Sequence, residues 1–315
     1  MNKKLKLRYA VAGIFLFLLY SPMVTGQGFK AEKSMEGVRI TEGDDLILFY
    51  QSRLKSHEGT FERANYIHPL YGLQGEILTE DFPADHLHHR GIFWAWHQTR
   101  VDGKQVADGW AIENMTWDVT NVKTETNKKQ ASLTMEVIWK TLPGASESQA
   151  ALVKENTIIT VYPTNEHSRV VDFTISLKAL VAGLEIGGSE DIKGYSGFSL
   201  RLKLPEDLAF TSEGKKLEPE ITAVEGGPWL DITGTFDPTH PSSGVAVFCH
   251  PKYPKKKQPW ILRYKGSMQN PAFPHTDRVA ISQKKPLVLK YRLVIHDQEV
   301  DSAILDKMYQ EYISH

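Results

Sequence analysis

The sequence predicts an all-β protein, a large antiparallel β-sandwich with a short C-terminal helix. Three observations carry the prediction. Apolar and polar residues alternate with period two in segment after segment. Gly and Pro punctuate the intervals between them. Amphipathic helical patterns are scarce, and many strands with few helices suit two packed sheets.

The elements follow in chain order. Residues 1–26 read as a secretory signal peptide. Lys3, Lys4, Lys6 and Arg8 open it, Ala10 to Tyr20 (AVAGIFLFLLY) is an apolar run, and Val24-Thr25-Gly26 offers small residues before a cut. The run is too short to span a bilayer. The expected mature product is residues 27–315, a single β-sandwich domain, periplasmic or secreted. Leu133, Met135, Val137 and Trp139 then alternate with polar residues, as do Val171, Phe173, Ile175 and Leu177. Phe198, Leu200, Leu202 and Leu204 repeat the pattern, and so do Leu289, Tyr291, Leu293 and Ile295. Thr157 to Tyr162 and Gly244 to Cys249 read as further strands. Turn signals stand at Pro143-Gly144, Gly187-Gly188, Gly226-Gly227-Pro228 and Pro238 to Pro241. The one convincing helix is Asp301 to Ile313, with Asp301 as N-cap and Ile304, Leu305, Met308 and Tyr312 on one face.

Composition narrows the partners. Without residues 1–26 the chain has 33 basic against 38 acidic residues, so no basic surplus points to nucleic acid. No membrane association beyond the export signal is expected. Cys249 is the only cysteine, which excludes an internal disulfide, and its apolar run (GVAVFC) suits a buried residue. The Lys252 to Lys257 run (KYPKKK) reads as a solvated loop.

Chemistry concentrates in FPADHLHHRGIFWAWHQ, Phe82 to Gln98, which holds four of the twelve histidines: His86, His88, His89 and His97. Three readings compete. In the first, the histidines bind a divalent metal. An extended stretch would put His86 and His88 on one face and His89 on the other, so His86 and His88 would be ligands, with a third from elsewhere. The glutamate that usually follows H-x-H in cupin-type sites is missing, and His275-x-Asp277 offers only half of a facial triad. In the second, the stretch performs acid–base chemistry on a sugar and needs no cofactor. His88 or His89 moves a proton, Arg90 grips an anion or hydroxyl, and Asp81 or Asp85 orients or donates. Trp94, Trp96 and Trp110 offer flat faces for a sugar ring, and Glu113 adds a third carboxylate. In the third, the polar residues form a satisfied buried network with the tryptophans as core. Such a density of buried polar groups is costly and is tolerated mostly at functional sites. No phosphate loop, dinucleotide fingerprint, nucleophile elbow or zinc-protease helix is present.

The segment YIHPLYGLQGEILTEDFPADHLHHRGIFWAWHQ resembles a bacterial family labelled "methane oxygenase PmoA-like". The shared pattern is Pro-Leu-Tyr followed by Asp-Phe-Pro-x-Asp-His-x-His-His-Arg-Gly. KGYSGFSLR (Lys193 to Arg201) and HPKYPKKKQPWILRYKGSMQNPAF (His250 to Phe273) extend the resemblance over roughly Tyr66 to Ile295. The label is not literal, because no apolar stretch of spanning length follows residue 26. The resemblance implies a β-rich protein associated with carbohydrate use, with a galactose-mutarotase-like sandwich (supersandwich) that binds a carbohydrate ligand on a concave sheet face. It singles out Tyr71, Asp81, Asp85, His86, His88, His89, Arg90, Tyr195, Arg201, His250, Trp260, Arg263 and Asn270. Gly194 and Gly197 would give the backbone around Tyr195 a close turn. The expected function is an enzyme acting on a sugar or sugar-acid glycoside by hydrolysis, elimination or epimerisation. Catalysis would fall to His88, His89, Arg90, Asp81 and Asp85, and substrate binding to His86, Tyr71, Trp94, His97, Tyr195, Arg201, His250 and Asn270. A non-catalytic glycan-binding protein and a His-ligated metalloenzyme are the alternatives.

Overall fold

The computed structural model describes residues 28–142, 150–251 and 258–314. The signal segment, the Pro143-Gly144 turn and the Lys252 to Lys257 run lie outside these described residues. Two antiparallel sheets form an all-β sandwich. The larger has nine strands in the order Thr116–Thr126, Ala131–Lys140, Ala151–Val161, Ser168–Ala179, Leu287–His296, Ser243–Cys249, Trp229–Gly234, Ala209–Ser212 and Lys215–Lys216. The smaller has six, in the order Phe29–Lys33, Gly37–Glu42, Asp45–Gln51, Tyr66–Leu70, Ile92–Trp96 and Ser196–Leu200.

The alternation seen in sequence becomes the core. Leu133, Met135, Val137 and Trp139 are buried in one row, opposite Val171, Phe173, Ile175 and Leu177 two strands away. Phe198 and Leu200 from the smaller sheet meet them, with Trp94 stacked on Phe198 and edge-on to Phe173. Trp94 and Trp96 therefore belong to this core. Each is 1% exposed, so neither offers a face to a sugar, which corrects the sequence expectation. Burial of each large apolar side chain stabilises the sandwich by about 1.5–3 kcal/mol.

One polar device pins the two sheets together. Glu155 is fully buried on its strand and accepts hydrogen bonds from Asn65 Nδ2 at 2.9 and 3.1 Å, Trp139 Nε1 at 2.8 Å and Thr157 Oγ1 at 2.6 Å. Asn65 leads into the strand Tyr66–Leu70 of the opposite sheet and also accepts from Tyr50 Oη. Burial raises the Glu155 pKa, and its donors act against that shift.

The C-terminal helix runs Ser302–Ile313 and Asp301 caps it, accepting from the Ala303 N–H at 2.9 Å. Its buried face differs from the predicted one. Leu305, Tyr309 and Tyr312 pack on Trp229, Phe248 and Val294, whereas Ile304 is 54% exposed. The helix packs on the outer face of the nine-stranded sheet, so Val294 is buried there on the face opposite Leu293 and Ile295.

Candidate functional site

The segment Asp81 to Gly91 is a closed loop, and its own residues close it. Asp81 and Arg90 form an isolated antiparallel bridge, and Arg90 Nε lies 2.9 Å from Asp81 Oδ1. The remaining Arg90 donors reach the carbonyls of Phe61 (3.2 Å) and Lys55 (2.6 Å), and its guanidinium lies over the Phe82 and Tyr66 rings at 3.4 and 4.9 Å. Asp81 also takes Lys55 Nζ at 2.7 Å and Tyr66 Oη at 3.2 Å. Phe82 adopts a left-handed backbone, φ 52°, which is costly for an aromatic residue and turns its ring under Arg90. Gly91 follows because nothing larger fits: a Cβ there would lie 1.9 Å from the Ile67 carbonyl oxygen.

Between the two ends the chain makes two successive turns, closed by His86 N–H to Pro83 O and by His89 N–H to His86 O. The extended reading of His86-x-His88 therefore fails. His86 and His89 stack face to face, 4.6 Å between centroids at 4°, and His88 stands edge-on to both, at 5.6 and 4.5 Å. Among the described residues no three His, Cys, Asp or Glu side chains converge as a metal site. The third ligand that the metal reading needs beside His86 and His88 is not supplied.

Asp85 is tied to the neighbouring strand. Arg201 grips it with Nη2 to Oδ1 at 2.7 Å and Nη1 to Oδ2 at 3.1 Å, and holds Glu80 through Nε at 2.9 Å. Partial burial works against the Asp85 charge, but hydrogen bonds from His86 and Arg201 outweigh it and keep the carboxyl below the ordinary range. Asp81, Asp85, Arg90 and Arg201, read from sequence as catalytic or binding groups, thus spend their polar atoms on building the loop.

What faces outward is imidazole. The side chains of His86 and His97 are 41% and 25% exposed, and His88 is half-buried. His89 is buried and its Nδ1 has no hydrogen-bond partner. Burial, followed by the charges of His86, Arg63 and His97, lowers the His88 pKa to about 4, so the ring is neutral at neutral pH. Burial lowers that of His89 further, with the charges of His88 and His86 adding to it.

His97 stands just beyond the strand Ile92–Trp96, near enough for its charge to act on His88. Its Nδ1 lies 2.8 Å from Asp108 Oδ2, and its ring lies on Trp110 at 5.4 Å and 23°. The other Asp108 oxygen accepts the N–H groups of Trp110 and Ala111, both at 2.8 Å, so the carboxylate is fixed by its own turn. Arg63, buried between Phe93 and Trp117, donates to the Gly109 carbonyl of that turn. Tyr195 stands 5.5 Å from Trp110 and 6.5 Å from His97, and its hydroxyl accepts from Arg263 Nη2 at 3.0 Å. Gly194 and Gly197 have positive φ, as the turn around Tyr195 requires.

Other sequence candidates fall elsewhere. Tyr71 lies beyond the far end of the strand Tyr66–Leu70, in a bridge with Ile77. Asn270 is buried and donates to the Ser196 carbonyl at 2.9 Å. Trp260 is core. Glu113 is exposed, paired through its backbone with Asp108. His275 and Asp277 line a cavity of about 580 Å³ with Phe273, Pro274 and Glu225. His250 lines a different cavity, beside the C-terminal helix. None of the five cavities described is lined by His86, His88, His89 or His97. Sequence reading missed Asp108 and Arg63. The Asp108-Gly109-Trp110 turn signal beside a nominated tryptophan was the available clue.

Fold and site together define an all-β sandwich protein with a surface imidazole cluster backed by an aspartate–histidine pair. The chain belongs to a family of unknown function (DUF6807), whose model matches residues 37–310. It matches none of the curated proteins. Among the described residues no helix is long and apolar enough to cross a membrane.

Proposed function

We propose that the protein is an exported carbohydrate-active enzyme that moves protons on a sugar or sugar acid, by elimination or epimerisation, at the His88–His97 surface. The observation that carries this reading is the His97–Asp108 pair. A carboxylate on Nδ1 fixes the tautomer and leaves Nε2 as the acceptor, the arrangement of an oriented general base. His88, held neutral, is a second proton-transfer group in the same electrostatic neighbourhood. Trp110 supports His97, and Tyr195, held by Arg263, supplies an aromatic edge suited to a sugar ring.

Two-carboxylate hydrolysis is the less suited chemistry. It needs two carboxyl groups free to face a glycosidic oxygen and a water, and here Asp81 is closed off by Arg90 and Lys55 while Asp85 is gripped by Arg201. The aromatic rings of Trp110 and Tyr195 beside His97 suit one alternative as well, a glycan-binding protein without turnover. A screen of glycosides, uronides and oligosaccharides, read by chromatography that resolves isobaric epimers coupled to mass spectrometry, decides between them. The proposal expects a product that disappears with His97→Ala. Saturable binding without any product supports the alternative, and turnover untouched by His97→Ala removes the proposed base.

A further inference from the structure

The cluster at His97 leaves His250 unused, and His250 belongs to a second constellation on the outer face of the nine-stranded sheet. A cavity of about 300 Å³ opens there, where the C-terminal helix docks, with His250, Lys290, Arg292, Asp172, Thr174 and Tyr312 in its lining. Its floor is two cross-strand rungs, Asp172 opposite Arg292 and Thr174 opposite Lys290. Both Asp172 oxygens are committed, to Arg292 Nε at 2.7 Å and Nη2 at 2.8 Å. Arg292 Nη1 and the exposed Lys290 ammonium have no hydrogen bond or ion pair among the described residues. Two cations thus stand against one carboxylate, and the floor is net positive.

The second observation is independent of charge. Tyr312 is 8% exposed, its ring lies 4.7 Å from the Arg292 guanidinium and edge-on to His250 at 5.7 Å, and its buried hydroxyl has no hydrogen-bond partner among the described residues. A hydroxyl stripped of water and left unpaired is unfavourable unless something else accepts its proton. Lys290 and Arg292 line the space beside it together with the committed Asp172 carboxylate and the Thr174, Tyr162 and His250 side chains, and the surplus of positive charge suits an acceptor that is an anion.

We propose that this cavity binds a small oxyanion, a carboxylate or phosphate group, held by Lys290, the open edge of Arg292 and the Tyr312 hydroxyl. The C-terminal helix supplies the hydroxyl and the sheet supplies the charge, so the site exists only when the helix is docked. It shares no residue with the His97 surface and stands or falls separately from the reaction proposed there.

The full chain is titrated with inorganic phosphate in one arm, acetate in a second and glucose in a third, at an ionic strength fixed with chloride. Tyrosine fluorescence and the chemical shifts of backbone amides around Arg292 report binding. Saturation by phosphate alone assigns a phosphate group, and saturation by acetate assigns a carboxylate. Tyr312→Phe keeps the ring over Arg292 and removes only the hydroxyl. Lys290→Gln changes an exposed side chain that the fold does not need. Each variant weakens anion binding about tenfold, the scale of one hydrogen bond to a charged group. Failure of both anions to saturate the wild-type chain overturns the proposal, as does saturation by glucose in their place or unchanged anion binding in both variants.

Discussion

Asp85 and Arg201 meet fork to fork, at 2.7 and 3.1 Å, across 116 residues of sequence. This contact ties the histidine loop to the strand ladder of the smaller sheet, because Arg201 also exchanges backbone hydrogen bonds with Glu80 and Gly91 at the base of the loop. The loop is therefore a rigid platform, and its charged residues are the fastening.

Asp85→Asn tests the fastening. The substitution removes the charge that Arg201 answers and leaves a buried guanidinium with Glu80 and the Ser267 carbonyl alone. Asp85 is 34% exposed, so the cost is discounted from that of a buried pair to about 1–3 kcal/mol. Denaturant unfolding at neutral pH measures it. A loss below half of the lower figure would show that Asp85 is not the fastening.

Gly91→Ala is the sharper steric test. The added Cβ would lie 1.9 Å from Ile67 O and 2.9 Å from His68 Cβ, so the backbone itself must move. A destabilisation above about 2 kcal/mol is expected, visible as a lowered midpoint of chemical unfolding. A variant as stable as the wild type would mean that the loop base is looser than these distances state.

Acid should weaken the fold through the cluster. In the folded chain His88 titrates at about 4 and His89 lower still, both because burial disfavours the charged ring, whereas unfolded histidines titrate near 6.5. Below pH 6.5 the unfolded chain takes up protons that the folded one refuses, so stability falls as pH drops from 6.5 toward 4. His296 acts with the opposite sign. Burial disfavours its charge, but Asp231 at 2.9 Å outweighs this and raises its pKa, so its contribution is full below pH 6.5 and lost as pH rises through the folded value. Unfolding free energies at pH 7 and pH 5 should therefore differ less in a His88→Gln, His89→Gln double variant than in the wild type. An undiminished difference would place the acid sensitivity outside the cluster.

Asp108→Asn separates orientation from proton transfer. The amide keeps the length of the hydrogen bond to His97 but no longer favours the tautomer with the proton on Nδ1, nor stabilises the imidazolium. Turnover of any substrate found should fall by roughly 10²–10⁴-fold with little change in KM. A drop confined to KM would assign Asp108 to binding alone.

The fold was legible because it is local. Alternation with period two requires only that each strand have one buried face, and the rows from Leu133 to Trp139 and from Val171 to Leu177 obey it. Capping at Asp301 is likewise a property of neighbouring residues. The same logic left Ser199 and Arg201 open between solvent and a second layer, and both are buried, Arg201 against Asp85 of the histidine loop and Glu80 at its base. It misjudged Ile304 because the helix docks through Leu305, Tyr309 and Tyr312.

The sequence by itself determined the sandwich, the place of the helix and the stretch in which histidines concentrate. Tertiary structure alone decided which members of that stretch are structural and which face solvent. Asp81 and Arg90 spend their charges on each other, and Asp85 spends its charge on Arg201. Two turns stack His86 on His89, against the extended geometry, and Asp108 arrives beside His97 from a separate turn. The physical reason is that a side chain's partner is set by hydrogen bonds and packing between distant segments. Residue type and spacing record only what each group is able to do.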